Sequence, residues 1–228
     1  WTPETVASPL LLGQPTQLDL AVGPNGPAIV AQTGEPLELE RYCGAHDVGL
    51  FTRQGAGDWS LETLVVSSAD AATGDPASDF GQVVGHWPAL AFDANGDAAV
   101  VYKDIHGGGL QGDDRVRADL EFVWAGANSA IDFGGGAGDF NQLVFDDQNR
   151  PVVVWHNTVS NSGDDRRGIW AGRYEADQWT TVRLANESTR GLDVAFDRSS
   201  GDLVVAWYSG ENGRPTLARL PADGRGTA

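Results

Sequence analysis

The chain has 228 residues, of which 41% are apolar, with thirty glycines, eleven prolines and a single cysteine. It carries 32 acidic against 15 basic side chains, a net charge of −17. That balance argues against nucleic acid and anionic membrane surfaces as partners, because both recruit Lys and Arg; one cysteine excludes an internal disulfide.

Glycine and proline without a triplet period indicate many turns. No apolar run is long enough to insert in a bilayer. Lys103 is the only lysine, against fourteen arginines, a bias of composition rather than of chemistry. A chain that begins at Trp1 without methionine reads as a processed mature chain or an excised domain. The expected setting is extracellular, cell-surface or periplasmic.

Trp1–Val6 (WTPETV) is the first element and stands apart from the strands after it. Leu18–Gln32 (LDLAVGPNGPAIVAQ) reads as strand, tight turn, strand, with Asn-Gly at the turn. Val48–Arg53 is a third strand and Trp59–Leu64 (WSLETL) a fourth. Ser67–Gly85 is rich in Ser, Ala, Asp and Gly and is expected to be a surface loop. The hairpin pattern returns at Pro88–Tyr102, at Asn141–Trp155 and at Leu192–Trp207. Its reference phenylalanines, Phe92, Phe145 and Phe196, lie 53 and 51 residues apart, and Val22 takes that place in the first copy. Gly168–Tyr174 and Trp179–Leu184 (WTTVRL) complete the third copy; Pro215–Leu220 is the third strand of the last.

A period of this length marks a repeat architecture. Four copies of four strands predict an all-β fold, a β-propeller of four blades, over residues 17–66, 87–133, 140–184 and 191–220. The last copy lacks a Trp-led strand, and residues 1–6 resemble that strand. They are expected to complete the last blade and close the ring, which would leave no unpaired sheet edge. Along the inner strands, Leu18, Leu20, Val22, Leu90 and Phe92 alternate with smaller or polar residues. The larger set is expected to pack between blades. The other set, Asp19, Ala89, Gln142 and Asp193 followed by Ala21, Ala91, Val144 and Ala195, is expected to face a central channel.

The pattern of apolar pair, Phe-Asp, turn and apolar strand ending in an aromatic resembles the repeats of secreted bacterial β-propeller proteins. The resemblance spans nearly the whole chain. It implies a scaffold shared by lectins, structural domains and polysaccharide-active enzymes, and so fixes fold more than function. The Ser-x-Asp-x-Gly-x-Thr-Trp box of sialidase propellers is absent.

All four histidines fall in or beside loops expected on one face. His86 precedes an inner strand, His106 and His156 follow second strands, and His46 lies three residues after Cys43. Imidazole and thiolate are ligands for copper or zinc, and loops are also where unbound histidines collect. Asp19, Asp193 and Gln142 are candidates for a channel cation, calcium or sodium, or for ordered water. Gly-Asp-Asp-Arg occurs at Gly112–Arg115 and again at Gly163–Arg166. A turn with an exposed ion pair explains it, and carboxylates for calcium or sugar hydroxyls are the functional alternative. Gly107–Gly112 matches G-x-G-x-x-G, but no helix comes after it, so a dinucleotide site is excluded. Trp87, beside His86, is the candidate for stacking on a ligand.

Three functions are compatible with this pattern. The first is a binding module with a glycan, peptide or metal ion on the histidine-bearing face. The second is a metal-dependent or polysaccharide-cleaving enzyme using His86, His106 or His156. The third is a purely structural propeller within a larger surface protein.

Overall fold

The computed structural model of the chain describes residue 6 and residues 17–34, 46–55, 57–65, 84–104, 119–132, 136–158, 166–210 and 213–221. Among them are fifteen strands and no helix. β1 (Leu18–Gly23), β2 (Gly26–Gly34), β3 (His46–Gln54) and β4 (Asp58–Val65) form the first antiparallel sheet. β5 (His86–Phe92), β6 (Ala98–Asp104), β7 (Asp119–Trp124) and β8 (Ala127–Asp132) form the second. β9 (Asp139–Phe145), β10 (Pro151–Asn157), β11 (Gly168–Glu175) and β12 (Gln178–Ala185) form the third. β13 (Thr189–Asp197), β14 (Asp202–Ser209) and β15 (Pro215–Leu220) form a three-stranded fourth. Every sheet is a meander whose strands pair in chain order.

The repeated Asp after each reference phenylalanine builds the inner hairpin. Asp93 Oδ1 accepts hydrogen bonds from the Asn95 and Asp97 amides, both at 2.8 Å. Asp146 Oδ1 does the same for Gln148 and Arg150 at 2.9 Å, and Asp197 Oδ1 accepts from Ser199 at 3.0 Å. A short carboxylate that bonds its own backbone two residues on is the mechanism of an Asx turn. Burial pushes the Asp93 carboxyl up, but the Asp97 and Asn95 amides outweigh it and hold the group below its ordinary range.

The inner strands lie side by side in the order β1, β5, β9, β13, so the sheets are blades stacked face to face around them. Three apolar layers fill the spaces between blades. Val100 and Tyr102 pack toward the first blade with Ala28, Val30 and Leu50, while Ala99 and Val101 pack toward the third with Val153 and Trp155. Val152 and Val154 meet Leu203, Val205 and Trp207 of the fourth blade. Tyr102, Trp155 and Trp207, each two residues before the end of a second strand, are all buried, as packing residues should be. Trp179, leading the fourth strand of its blade, sets its ring 5.1 Å from Phe122, edge to face, and donates Nε1–H to Ser129 Oγ at 3.3 Å.

This stacking corrects the expected channel position of Ala89 and Ala91, while Leu90 and Phe92 pack between blades as expected. Leu90 joins the layer shared with the first blade, and Ala89 the layer shared with the third. Both faces of the second blade therefore meet a neighbour. The first blade departs in a second way. Leu18, Leu20 and Val22, expected between blades, are 62%, 57% and 76% exposed. Among the described residues, no apolar layer joins the fourth blade to the first. Trp1–Thr5 lie outside the described residues, and so does the ring closure assigned to them.

Candidate functional site

Each inner strand after the first opens with the same irregularity. Between His86 and Ala89 of β5, the partner strand β6 advances one residue fewer. The same holds between Asp139 and Gln142 of β9 against β10, and between Thr189 and Leu192 of β13 against β14. An extra residue in one strand is a β-bulge, which re-aims the side chains beside it. Here the residues involved include Trp87 at φ 48° and Phe140 at φ 56°. A bulky side chain in that left-handed region is strained, and such strain concentrates at ligand sites.

The bulged ends converge on a cavity of about 290 Å³. Its wall takes Gln17, Leu18 and Asp19 from the first blade, Trp87 and Pro88 from the second, Phe140, Asn141 and Gln142 from the third, and Gly191 and Leu192 from the fourth. These are corresponding segments of the repeat, so all four blades contribute the same stretch of chain to one place. The rings of Trp87 and Phe140 pair at 4.3 Å, tilted by 43°.

Polar groups surround that pair. Asp19 Oδ2 accepts from the Leu90 amide and Oδ1 from the Leu20 amide, both at 2.8 Å. Gln17 Oε1 accepts from the Trp87 amide. The first blade thus caps two N–H groups of the β5 edge, which its own sheet leaves unpaired. Asn141 is 3% exposed, and neither its Oδ1 nor its Nδ2 has a hydrogen-bond partner.

Three of the residues singled out from sequence therefore meet at this cavity: Asp19, Gln142 and Trp87. Asp193 does not line it; its side chain is exposed and bonds the Val194 amide at 2.8 Å. His86 opens β5 and pairs in register with Lys103. His156 is buried behind Phe140, with ring centroids 6.4 Å apart, and pairs in register with Asp139. Lys103 and Asp139 form an ion pair nearby. Burial holds the His156 pKa below its ordinary value; the Asp139 carboxylate opposes that and the Lys103 charge adds to it. His106 and Cys43 lie outside the described residues, as does the His46 side chain. Among the described residues, no group of three or more His, Cys, Asp or Glu side chains could hold a metal ion.

The second Gly-Asp-Asp-Arg loop ends in an anchor rather than an exposed ion pair. Arg166 reaches the buried Asp132 of β8 at 2.7 Å, and its carbonyl accepts from Trp170 Nε1 at 2.8 Å. The first copy of that loop lies outside the described residues.

Phe140 and Asn141 escape the sequence reading. The signal they carry is their place in the repeat: Phe140 corresponds to Trp87, and Asn141 to Leu18, Pro88 and Leu192. A second aromatic beside a first, and an amide where the other copies are apolar, would have marked both.

No protein-family model matches the chain, and no curated protein does. Solved structures do resemble it. The α-L-arabinanase of Penicillium chrysogenum, solved with arabinobiose, matches at TM-score 0.55 and 13% identity, over 91% of this chain and 58% of its own. The xylan β-1,4-xylosidase of Bacillus halodurans matches at TM-score 0.45 and 18% identity, over 89% of this chain and 39% of its own. A fucose lectin of Kordia zhangzhouensis, solved with methyl-fucoside, matches at TM-score 0.38 and 7% identity, over 58% of this chain and 90% of its own. The chain thus spans 58% or less of the two glycosidase chains. At such identities the likeness to the arabinanase is one of fold.

Proposed function

We propose that this chain is a carbohydrate-binding propeller module whose ligand enters the cavity at the bulged ends of the inner strands. One observation carries the reading: the Trp87–Phe140 pair and the polar residues Asp19 and Gln142 line one cavity of about 290 Å³. Sugars present apolar C–H faces and a rim of hydroxyls. An aromatic face meets the first, and amide or carboxylate groups meet the second. A rigid site on strands rather than loops suits recognition. Such a module belongs outside the cytoplasm, alone or as part of a larger surface protein.

Binding is favoured over cleavage by the carboxylates. Most glycoside hydrolysis uses two, one on each side of the scissile bond. Asp19 is the one carboxylate among the described residues of the wall, and both its oxygens already accept backbone N–H groups.

The test is a glycan array, followed by titration of the strongest hit. Trp87→Ala is expected to lose about tenfold or more of the affinity while its unfolding temperature changes little. Wild-type protein that binds no glycan, or Trp87→Ala that binds as wild type, refutes the reading.

A further inference from the structure

Another cavity, of about 150 Å³, lies between the third and fourth blades. Ala171 of β11 and Val182 of β12 line one side of it, and Leu203 of β14 and Leu220 of β15 the other. The layer one blade earlier shows what such a place holds. There Trp179, leading β12, sets its ring 5.1 Å from Phe122 and 5.2 Å from Tyr174, and donates to Ser129 Oγ. The pairing registers carry these three partners forward by one blade. Phe122 pairs with Val101 and Ser129, just as Ala171 pairs with Val154 and Val182. Tyr174 lies two residues past the partner of Val153, and Leu220 two past the partner of Val205. The counterparts of the Trp179 neighbours are therefore Ala171, Val182 and Leu220, and all three line the cavity.

We infer that this cavity is the seat of Trp1, with residues 1–6 added as a strand along β15. Among the described residues, no strand pairs with the outer edge of β15. An unpaired edge beside an apolar slot suits an extended segment with an aromatic head. Trp1–Val6 (WTPETV) opens on the same Trp-Thr pair as Trp179–Leu184 (WTTVRL). In the register of β12 on β11, Trp1 falls opposite Leu220 and Pro3 opposite Ala218. That register also explains the proline. Ala176 and Asp177, at φ 50° and 61°, form the two-residue turn that closes the β11–β12 hairpin on the pair Glu175 and Gln178. Hydrogen-bonded and non-hydrogen-bonded pairs alternate from there, so Trp179 and Thr181 aim their N–H groups away from β11. Trp1 and Pro3 take those two places, and an edge strand accepts proline where its N–H would face solvent.

The experiment compares thermal unfolding of the full chain with that of Trp1→Ala, Val182→Asp and the double variant, and measures mass by sedimentation. Trp1→Ala is expected to unfold about 6 °C or more below the parent. Val182→Asp sets a carboxylate in the slot and should also melt lower. The double variant should melt close to the lower single variant, because both changes break one contact. Thr2→Pro removes an N–H that the register aims at β15, and is expected to melt lower as well. Trp1→Phe repeats the cycle should Trp1→Ala fail to fold. A Trp1→Ala variant that melts with the parent overturns the inference, and so do losses that simply add, since Trp1 would then sit elsewhere. A parent dimer that Trp1→Ala converts to monomer overturns the occupant within the chain, because the Trp1 of a second copy would fill the seat. None of these outcomes bears on sugar binding, which the glycan array tests separately.

Discussion

Leu20, Leu90 and Leu143 hold one position of the repeat, two residues before Val22, Phe92 and Phe145. They share residue type, strand and register, and differ in what covers them. Leu90 is 4% and Leu143 6% exposed, whereas Leu20 is 57% exposed. Truncating each to alanine isolates the value of that cover. At Leu90 and Leu143 the change empties part of a packed layer, which costs about 2–5 kcal/mol including the cavity left behind. At Leu20 most of the side chain is in water in the folded and unfolded states alike, so the change should stay within about 0.5 kcal/mol. For a chain of this size, each kcal/mol moves the unfolding temperature by about 2–4 °C. Urea unfolding followed by tryptophan fluorescence gives the free energies, and equal slopes would show that the denatured states are comparable. A Leu20→Ala variant as unstable as Leu90→Ala would refute the reasoning. It would mean that the outer face of the first blade is covered in solution and that the blades close into a ring over it.

Four further outcomes are expected. Trp179→Ala should cost about 3 kcal/mol or more, because its ring meets both Phe122 and Tyr174 and its Nε1–H reaches Ser129; a change near zero in urea unfolding would remove that packing role. Deleting residues 1–6 should lower the unfolding temperature or cause aggregation if they supply the missing strand beside β15, and a deletion as stable as the parent would sink the closure. His156 has a folded pKa below its ordinary 6.5, so the unfolded chain binds more protons below that pH; stability should be full above about 6.5 and fall as the pH drops from there. His156→Gln should flatten that part of the profile, and an unchanged profile would rule the residue out. Elemental analysis of chelator-free protein should find about one equivalent of copper or zinc if His46, His86, His106, His156 and Cys43 form a site.

Much of the fold was legible because each copy of the repeat checks the others. Pro215–Leu220 is a strand with the expected bounds, and β3, β11 and the two Trp-led strands lie within two residues of expectation. Blade two was harder. Its fourth strand begins at Ala127 with no tryptophan, so the marker that found the others was missing. The assignment of Ala89 and Ala91 to a channel failed for a geometric reason. Alternation divides a strand into two sets of side chains but does not say what either set will meet. Ala89 and Ala91 looked like channel residues because they are small. They are small because a neighbouring blade packs against them.

The candidate site shows what repetition reveals and what it hides. Asp19 and Gln142 were found by equivalence, since polar residues recur at that register. Trp87 was found by contrast, as a large aromatic at the mouth of an inner strand. What no pattern conveyed was the bulge that brings these residues together. It needs an extra residue in β5, β9 and β13, and in the first two Trp87 and Phe140 adopt the left-handed backbone. The shared sequence specifies blades and the layers between them, and a rigid frame results. On the proposed reading, departures from the shared sequence then carry the chemistry, because one frame offers four equivalent positions and only some have changed. Gln17 and Gly191 stand where Trp87 and Phe140 form the aromatic wall, and Leu18, Pro88 and Leu192 stand where Asn141 leaves an amide unpaired. On the proposed reading, the ligand preference of a site made from four corresponding segments should respond to single substitutions on the wall that leave the blades as they are.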